Sequence, residues 1–135
     1  MTYFTNSKYD LYIKKSNIQQ AGLGVFTNEY IPANSYIDSY YGEYIEAKYY
    51  GGEYFIRIND DLGINAINFP RCYMAMINDA CYIPTSKRKL KKWIFHNFIN
   101  NCKFVINNNK IDVYSTCDIN INDELFISYG QDYWM

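Results

Sequence analysis

The chain has 135 residues, room for one ordinary domain over 1–135 and for no second catalytic or targeting module. Hydrophobic residues make up 49 % and aromatics 19 %, which excludes a disordered chain and supplies a core. Formal net charge is -1, no run approaches the roughly 18 apolar residues of a membrane span, and the opening fifteen residues lack a secretory leader, so a soluble, intracellular protein with no membrane partner is expected.

β-Branched and aromatic residues recur in short runs bounded by Gly, Asn and Pro. This predicts a mainly β chain with strands at 9–14, 25–27, 36–41, 54–58, 103–106, 111–115 and 124–127. Helical spacing is confined to 72–78 and to 85–98, where Trp93, Phe95 and Phe98 interrupt a charged face. The runs CKFVI and KIDVYS flank Asn107, Asn108 and Asn109, residues that tolerate positive φ, so the two runs are read as a hairpin. No internal repeat or Pro/Gly linker divides the chain.

Lys87, Arg88, Lys89, Lys91 and Lys92 form a basic cluster without an acid, and taking those five from the 13 basic residues leaves eight against 14 acidic. The remaining body is therefore negative, a sign that attracts a basic peptide and repels a phosphate backbone. The cluster itself has three readings: a solvated helix face, a nucleic-acid or nucleosome contact, and a nuclear localisation signal. Cys72, Cys81, Cys102 and Cys117 contain no CxxC pair and accompany a single histidine, His96, so free and mostly buried thiols are expected, without zinc or disulfides. His96 reads as a structural histidine.

Four short stretches carry chemistry. AGLGVF places Gly22 and Gly24 beside strand-like sequence, where missing side chains let the backbone approach a ligand, although a lone GxG is also what a plain tight turn looks like. It lacks the third glycine and following helix of a dinucleotide fingerprint. Tyr40-Tyr41-Gly42-Glu43 follows, then the polar interruption Asn78-Asp79-Ala80-Cys81 in an apolar run, then Glu124-Leu125-Phe126-Ile127-Ser128-Tyr129-Gly130.

That order resembles the SET-domain family of protein lysine methyltransferases. The resemblance runs from about Lys14 to Trp134: Ile31-Pro32-Ala33-Asn34 is similar to the family's IPxG turn, Asp118-Ile119 through Glu124-Leu125 to its DIxxGEEL run, and Asn101-Cys102-Lys103-Phe104 to its NC strand start. Asn34 and Asn122 stand where the family has Gly, and Asn is the next most tolerant residue for left-handed backbone. Further departures are Asn78-Asp79-Ala80 in place of NHS, Met74 and Ala75 where an Arg often precedes that motif, and a basic aromatic insertion between Cys81 and Asn101.

The resemblance implies a SET fold of several small β-sheets with a C-terminal pseudoknot and one or two short helices. It implies S-adenosylmethionine as methyl donor and S-adenosylhomocysteine as product. Tyr129 would be the catalytic tyrosine. Gly22, Leu23, Gly24, Asn78, Asp79 and Tyr129 would meet the donor, and Trp134, with Tyr133, would lie flat over the adenine or wall the lysine channel. Tyr40, Phe104 and Ile127 would line that channel. Because neither Phe104 nor Ile127 has a hydroxyl to hold an obstructing water, di- or trimethylation is expected.

The implied substrate is a basic, lysine-containing protein tail such as a histone, with nucleosome contact through the basic cluster and self-pairing of so aromatic a domain as further expectations. Unflanked SET domains resemble compact viral enzymes, which places the protein in a nucleus or a viral replication compartment, and no metal is expected without a zinc segment. Two rivals remain: a catalytically inactive SET-like module binding basic peptides, and a small β-rich nucleic-acid binder, against which the overall acidity counts.

Overall fold

The computed structural model describes residues 2–49, 52–81 and 98–129. Among them ten short strands are formed: β1 (Tyr3–Phe4), β2 (Leu11–Lys15), β3 (Leu23–Thr27), β4 (Tyr36–Ser39), β5 (Glu43–Glu46), β6 (Phe55–Arg57), β7 (Leu62–Asn65), β8 (Arg71–Cys72), β9 (Cys102–Asn107) and β10 (Lys110–Ser115). They make four small sheets: parallel β1-β8, and antiparallel β2-β3, β4-β10-β9 and β5-β7-β6. The mainly β expectation holds, and the helical content described is two 3₁₀ turns, Ala47–Tyr49 and Tyr73–Met76.

Local chemistry explains the turns. Asn108 and Asn109 take φ of 49° and 64°, the left-handed pair that a two-residue hairpin demands, and β9 and β10 pair from Lys110↔Asn107 to Ser115↔Cys102. Asn34 and Asn122 also sit at positive φ, 61° and 70°, as their glycine-like positions require. In β5-β7-β6, Gly63 lies directly under the Phe55 ring, with no room for a side chain.

The core joins the sheets. Val25, Ile31, Ile37, Ile64, Met74, Ile77, Ile111, Val113, Ile119, Leu125 and Ile127 are all buried in one cluster. Buried polar side chains find partners: Asp38 Oδ2 accepts from Thr5 Oγ1 at 2.7 Å and Asn6 N at 2.9 Å, while Ser39 Oγ donates to Asp112 Oδ1 at 2.7 Å. This network ties the N-terminal arm to β4 and β10.

Two expected elements differ. The predicted strand 124–127 makes single bridges to three separate partners, Glu124 with Phe26, Phe126 with Asn78 and Ile127 with Cys102, because it runs between stretches that cannot all pair along its length. This convergence is the expected C-terminal pseudoknot. The predicted helix 72–78 is only the turn Tyr73–Met76, since Cys72 extends β8 against Phe4 and Ile77 is itself extended (φ -74°, ψ 129°) as it leads into the Asn78 bridge. The predicted helix 85–98 lies outside the described residues except for Phe98, whose ring stacks on Phe126 at 5.3 Å.

All four cysteines are free, but only Cys72 and Cys102 are buried; Cys81 and Cys117 are exposed, which corrects the expectation of mostly buried thiols. No helix of the described residues is long and apolar enough to cross a membrane.

Candidate active site

A cavity of about 610 Å³ opens where the sheets meet. Gly22 and Leu23 at the start of β3, Tyr40 after β4, Met74 to Asn78, Phe104 of β9 and Tyr129 all line it. Stretches more than a hundred residues apart thus share one wall.

The two glycines of GxG serve different purposes. Gly22 has φ +78°, and a methyl group added there would meet no atom within 4 Å, so its backbone borders open space. Gly24 does not line the cavity; a methyl group there would collide with Glu124 Oε2. Its missing side chain makes room for the buried Glu124 carboxylate, which accepts from Ser16 Oγ at 2.6 Å and Asn17 N at 2.8 Å. Burial is the largest influence on Glu124 and holds its carboxyl above the usual 4.5, against the hydrogen bonds from Ser16, Asn17 and Asn78.

Asn78 is fixed on both sides. Its Nδ2 donates to Leu23 O at 2.9 Å, and its backbone carbonyl accepts from Ile127 N at 2.9 Å. Asp79 is buried and does not line the cavity. Its Oδ2 accepts from Tyr129 N at 2.8 Å and its Oδ1 from Cys81 N at 2.9 Å and Asn100 Nδ2 at 3.3 Å, so it organises the site from behind.

The Tyr129 hydroxyl donates to the Ile77 carbonyl. With the proton so committed, the phenol oxygen keeps acceptor capacity. Tyr40 meets Phe104 edge to face at 6.2 Å and 84°, and burial drives its hydroxyl well above the usual phenol range, with Cys72, Tyr129 and Tyr54 adding to the effect. Ile127, bridged to Cys102 and with its N–H donating to Asn78 O, is fully buried and is not part of the cavity wall.

Trp134 and Tyr133 lie outside the described residues, as do His96 and the basic cluster Lys87, Arg88, Lys89, Lys91 and Lys92. Sequence reasoning missed Arg71 and Tyr54, both of which line the cavity. Nothing in their spacing points there, because Arg71 arrives through a two-residue parallel strand paired with Tyr3, and Tyr54 through a left-handed backbone (φ 62°).

Several small sheets closed by a late segment that bridges three others, with a tyrosine brought beside a GxG turn, define a SET fold. The SET-domain family model matches residues 22–130, and the chain belongs to the SET-domain family. Among solved structures, KRYPTONITE in complex with mCHG DNA and SAH is similar with a TM-score of 0.66 and 20 % identity, over 92 % of this chain and 24 % of that one. This chain therefore spans about a quarter of that protein. The methyltransferase domain of human PR domain-containing protein 2 gives a TM-score of 0.67 and 15 % identity, over 93 % of this chain and 80 % of that one. At these identities the likeness concerns the fold alone. No curated protein matches the chain.

Proposed function

We propose that the protein is a protein-lysine N-methyltransferase that uses S-adenosylmethionine and acts on a basic, lysine-containing tail, with histones as the first class to test. The observation that carries this reading is the shared cavity, in which Gly22, Leu23 and Asn78 stand with Tyr40, Phe104 and Tyr129. Membership of the SET family supports it, as do the similar structures, one of them a methyltransferase domain and one holding SAH.

The residues present fit the donor. The volume of about 610 Å³ is within the span of small-molecule sites, roughly 300–1,000 Å³. Open space beside Gly22 accommodates a ligand backbone, and Glu53, Arg57 and Arg71 give the wall both signs of charge for a zwitterionic amino-acid group. When bound, the donor supplies a methyl group activated on a sulfonium.

Alignment is the main task of the protein, because methyl transfer moves positive charge from sulfur to nitrogen and creates none. Gly22, Leu23 and Asn78, all in the cavity wall, would hold the donor, and Tyr40 and Phe104 of the same wall would confine an incoming side chain. The Tyr129 hydroxyl donates its proton to Ile77 O, so its oxygen would offer lone pairs to a bound cationic centre and to the amine. Free lysine has a pKa near 10.4, so roughly one in a thousand is neutral at pH 7 to 7.5. The aromatic walls strip water from the amine and lower that value.

The test is incubation with tritiated methyl donor and a panel of histones, beside the Tyr129→Phe variant. Label in protein lysine that is lost in the variant is expected. A protein that binds basic peptides yet transfers no label to any lysine would be the inactive binding module instead.

A further inference from the structure

A second hollow, of about 220 Å³, lies apart from the active-site cavity. Phe4, Tyr41 and Phe69 line it with Gly42, Glu43 and Pro70, and the two described linings share no residue. Three aromatic rings and one carboxylate therefore meet there, and the described lining contains no Lys or Arg. Its volume is below the roughly 300–1,000 Å³ of sites that enclose whole small molecules, and it suits the end of a side chain.

The strands around the hollow set its walls. Phe4 stands opposite Cys72 in the β1-β8 pair, and the Cys72 thiol clamps the backbone of Tyr41: Sγ accepts from Tyr41 N at 3.3 Å and donates to Tyr41 O at 3.2 Å. One buried residue thus positions both rings, whose centroids are 5.9 Å apart at 34°. A methyl group at Gly42 would collide with Asn65 O, so the missing side chain lets β5 begin against Asn65 with Glu43 as its first residue. Phe69 is already engaged, with the buried Arg71 guanidinium 4.2 Å from its centroid and Tyr3 meeting it at 75°. It is a wall held in place, while Phe4 and Tyr41 supply the π surface.

Ring faces carry partial negative charge and Glu43 carries a full one. Glu43 is exposed and forms no ion pair among the described residues. Such walls disfavour a strongly hydrated ammonium but accept one whose charge is covered by methyl groups.

We propose that this hollow binds a methylated lysine side chain of a protein tail, its methylammonium lying against Phe4 and Tyr41 and its charge balanced by Glu43. A tail is favoured over a free small cation by β5, which is an edge of the β5-β7-β6 sheet and can take an extended chain alongside it. The inference stands apart from the methyl-transfer reading, since it uses no residue of that cavity's described lining.

The experiment titrates the full chain with three versions of one short basic peptide, carrying lysine, trimethyllysine, or the uncharged isostere in which carbon replaces the quaternary nitrogen. Wild type should bind the trimethyl peptide about 5- to 30-fold more tightly than the lysine peptide, and the isostere should lose most of that gain. Tyr41→Leu, which keeps an apolar side chain, should abolish the preference, and Glu43→Gln should weaken trimethyl binding by about 2- to 5-fold. Phe104→Leu, which alters the other cavity alone, should leave the preference intact.

Wild type that does not distinguish trimethyllysine from lysine overturns the inference. So does an isostere that binds as well as the trimethyl peptide, because the hollow would then read shape without charge. A preference lost in Phe104→Leu and kept in Tyr41→Leu would move methyl-lysine to the other cavity. Choline that binds as tightly as the trimethyl peptide would refute the tail, since the flanking chain would add nothing. None of these outcomes depends on whether the protein transfers a methyl group.

Discussion

The backbone N–H of Tyr129 donates to the Asp79 carboxylate at 2.8 Å, so the residue that departs most from the family motif is the one that holds the candidate catalytic tyrosine. The same carboxylate accepts from Cys81 N and Asn100 Nδ2. Asp79→Ala leaves buried donors unmatched and is expected to destabilise the protein by about 2 to 4 kcal/mol, with Asp79→Asn costing less. Denaturant unfolding of the two variants measures this. Equal stability of wild type and Asp79→Ala would deny the carboxylate this structural work.

Tyr129→Phe removes the phenol oxygen and one hydrogen bond to Ile77. Methyl transfer should fall by a factor on the order of 100, the usual effect of deleting one preorganised polar group, while affinity for S-adenosylhomocysteine changes little. Asn78→Ala should reverse that split, weakening ligand affinity more than Tyr129→Phe does, because Asn78 is anchored to Leu23 at the cavity wall.

The glycines of GxG should separate in the same manner. Gly24→Ala forces a methyl group into Glu124 and is expected to lower stability by about 1 to 3 kcal/mol, as overpacking does. Gly22→Ala meets no neighbour but must hold φ +78°, a strain of roughly 1 to 2 kcal/mol, and its methyl enters the cavity. Its larger consequence should be weaker ligand binding, read by titration of each variant with S-adenosylhomocysteine.

Much of this was legible beforehand. Asn34, Asn108, Asn109 and Asn122 could be read as turn residues because positive φ is a property of the residue type, and all four have it. Gly22, Asn78 and Tyr129 could be brought to one cavity from the order of their motifs, whereas Gly24 turns out to face Glu124. What stayed hidden depends on partners distant in sequence. β1 and β8 are two residues each and pair in parallel across the chain, and β7 contains Gly63, which reads as a loop residue until the Phe55 ring is laid over it. Asp79 looks like a ligand contact until its carboxylate is seen to accept from backbone and Asn100, and Ile127 looks like a channel residue until it is found fully buried and outside the cavity wall.

Glu124 should make stability depend on pH in an unusual direction. Burial raises its folded pKa above 4.5, so the folded state holds the proton more tightly than the unfolded one. Its contribution is fully favourable below 4.5 and is lost as pH rises through the folded value. Glu124→Gln should remove that component, visible as a smaller decline of unfolding free energy just above the ordinary carboxylate range. A difference curve of the opposite slope would contradict it.

Activity should rise toward alkaline pH as the substrate amine loses its proton. Tyr40 cannot end that rise, because burial keeps its hydroxyl protonated beyond the usual phenol range. A rate that is flat from pH 6 to 9 at saturating substrate would contradict this account of the amine. Product degree is the companion measurement. Phe104 lines the cavity without a hydroxyl, so mass spectrometry should find di- or trimethyl-lysine, and Phe104→Tyr should shift the distribution toward monomethyl.

Ser16 and Glu124, joined by a 2.6 Å hydrogen bond, are 108 positions apart. During synthesis the GxG turn, Tyr40 and Asn78 all emerge well before the stretch that clasps them together. A nascent chain halted before residue 124 would present half a pocket with an orphaned Asn17 amide and no phenol. Ligand-binding competence should therefore come with one late docking event, and a ribosome-stalled series should switch on binding abruptly once Tyr129 clears the exit tunnel.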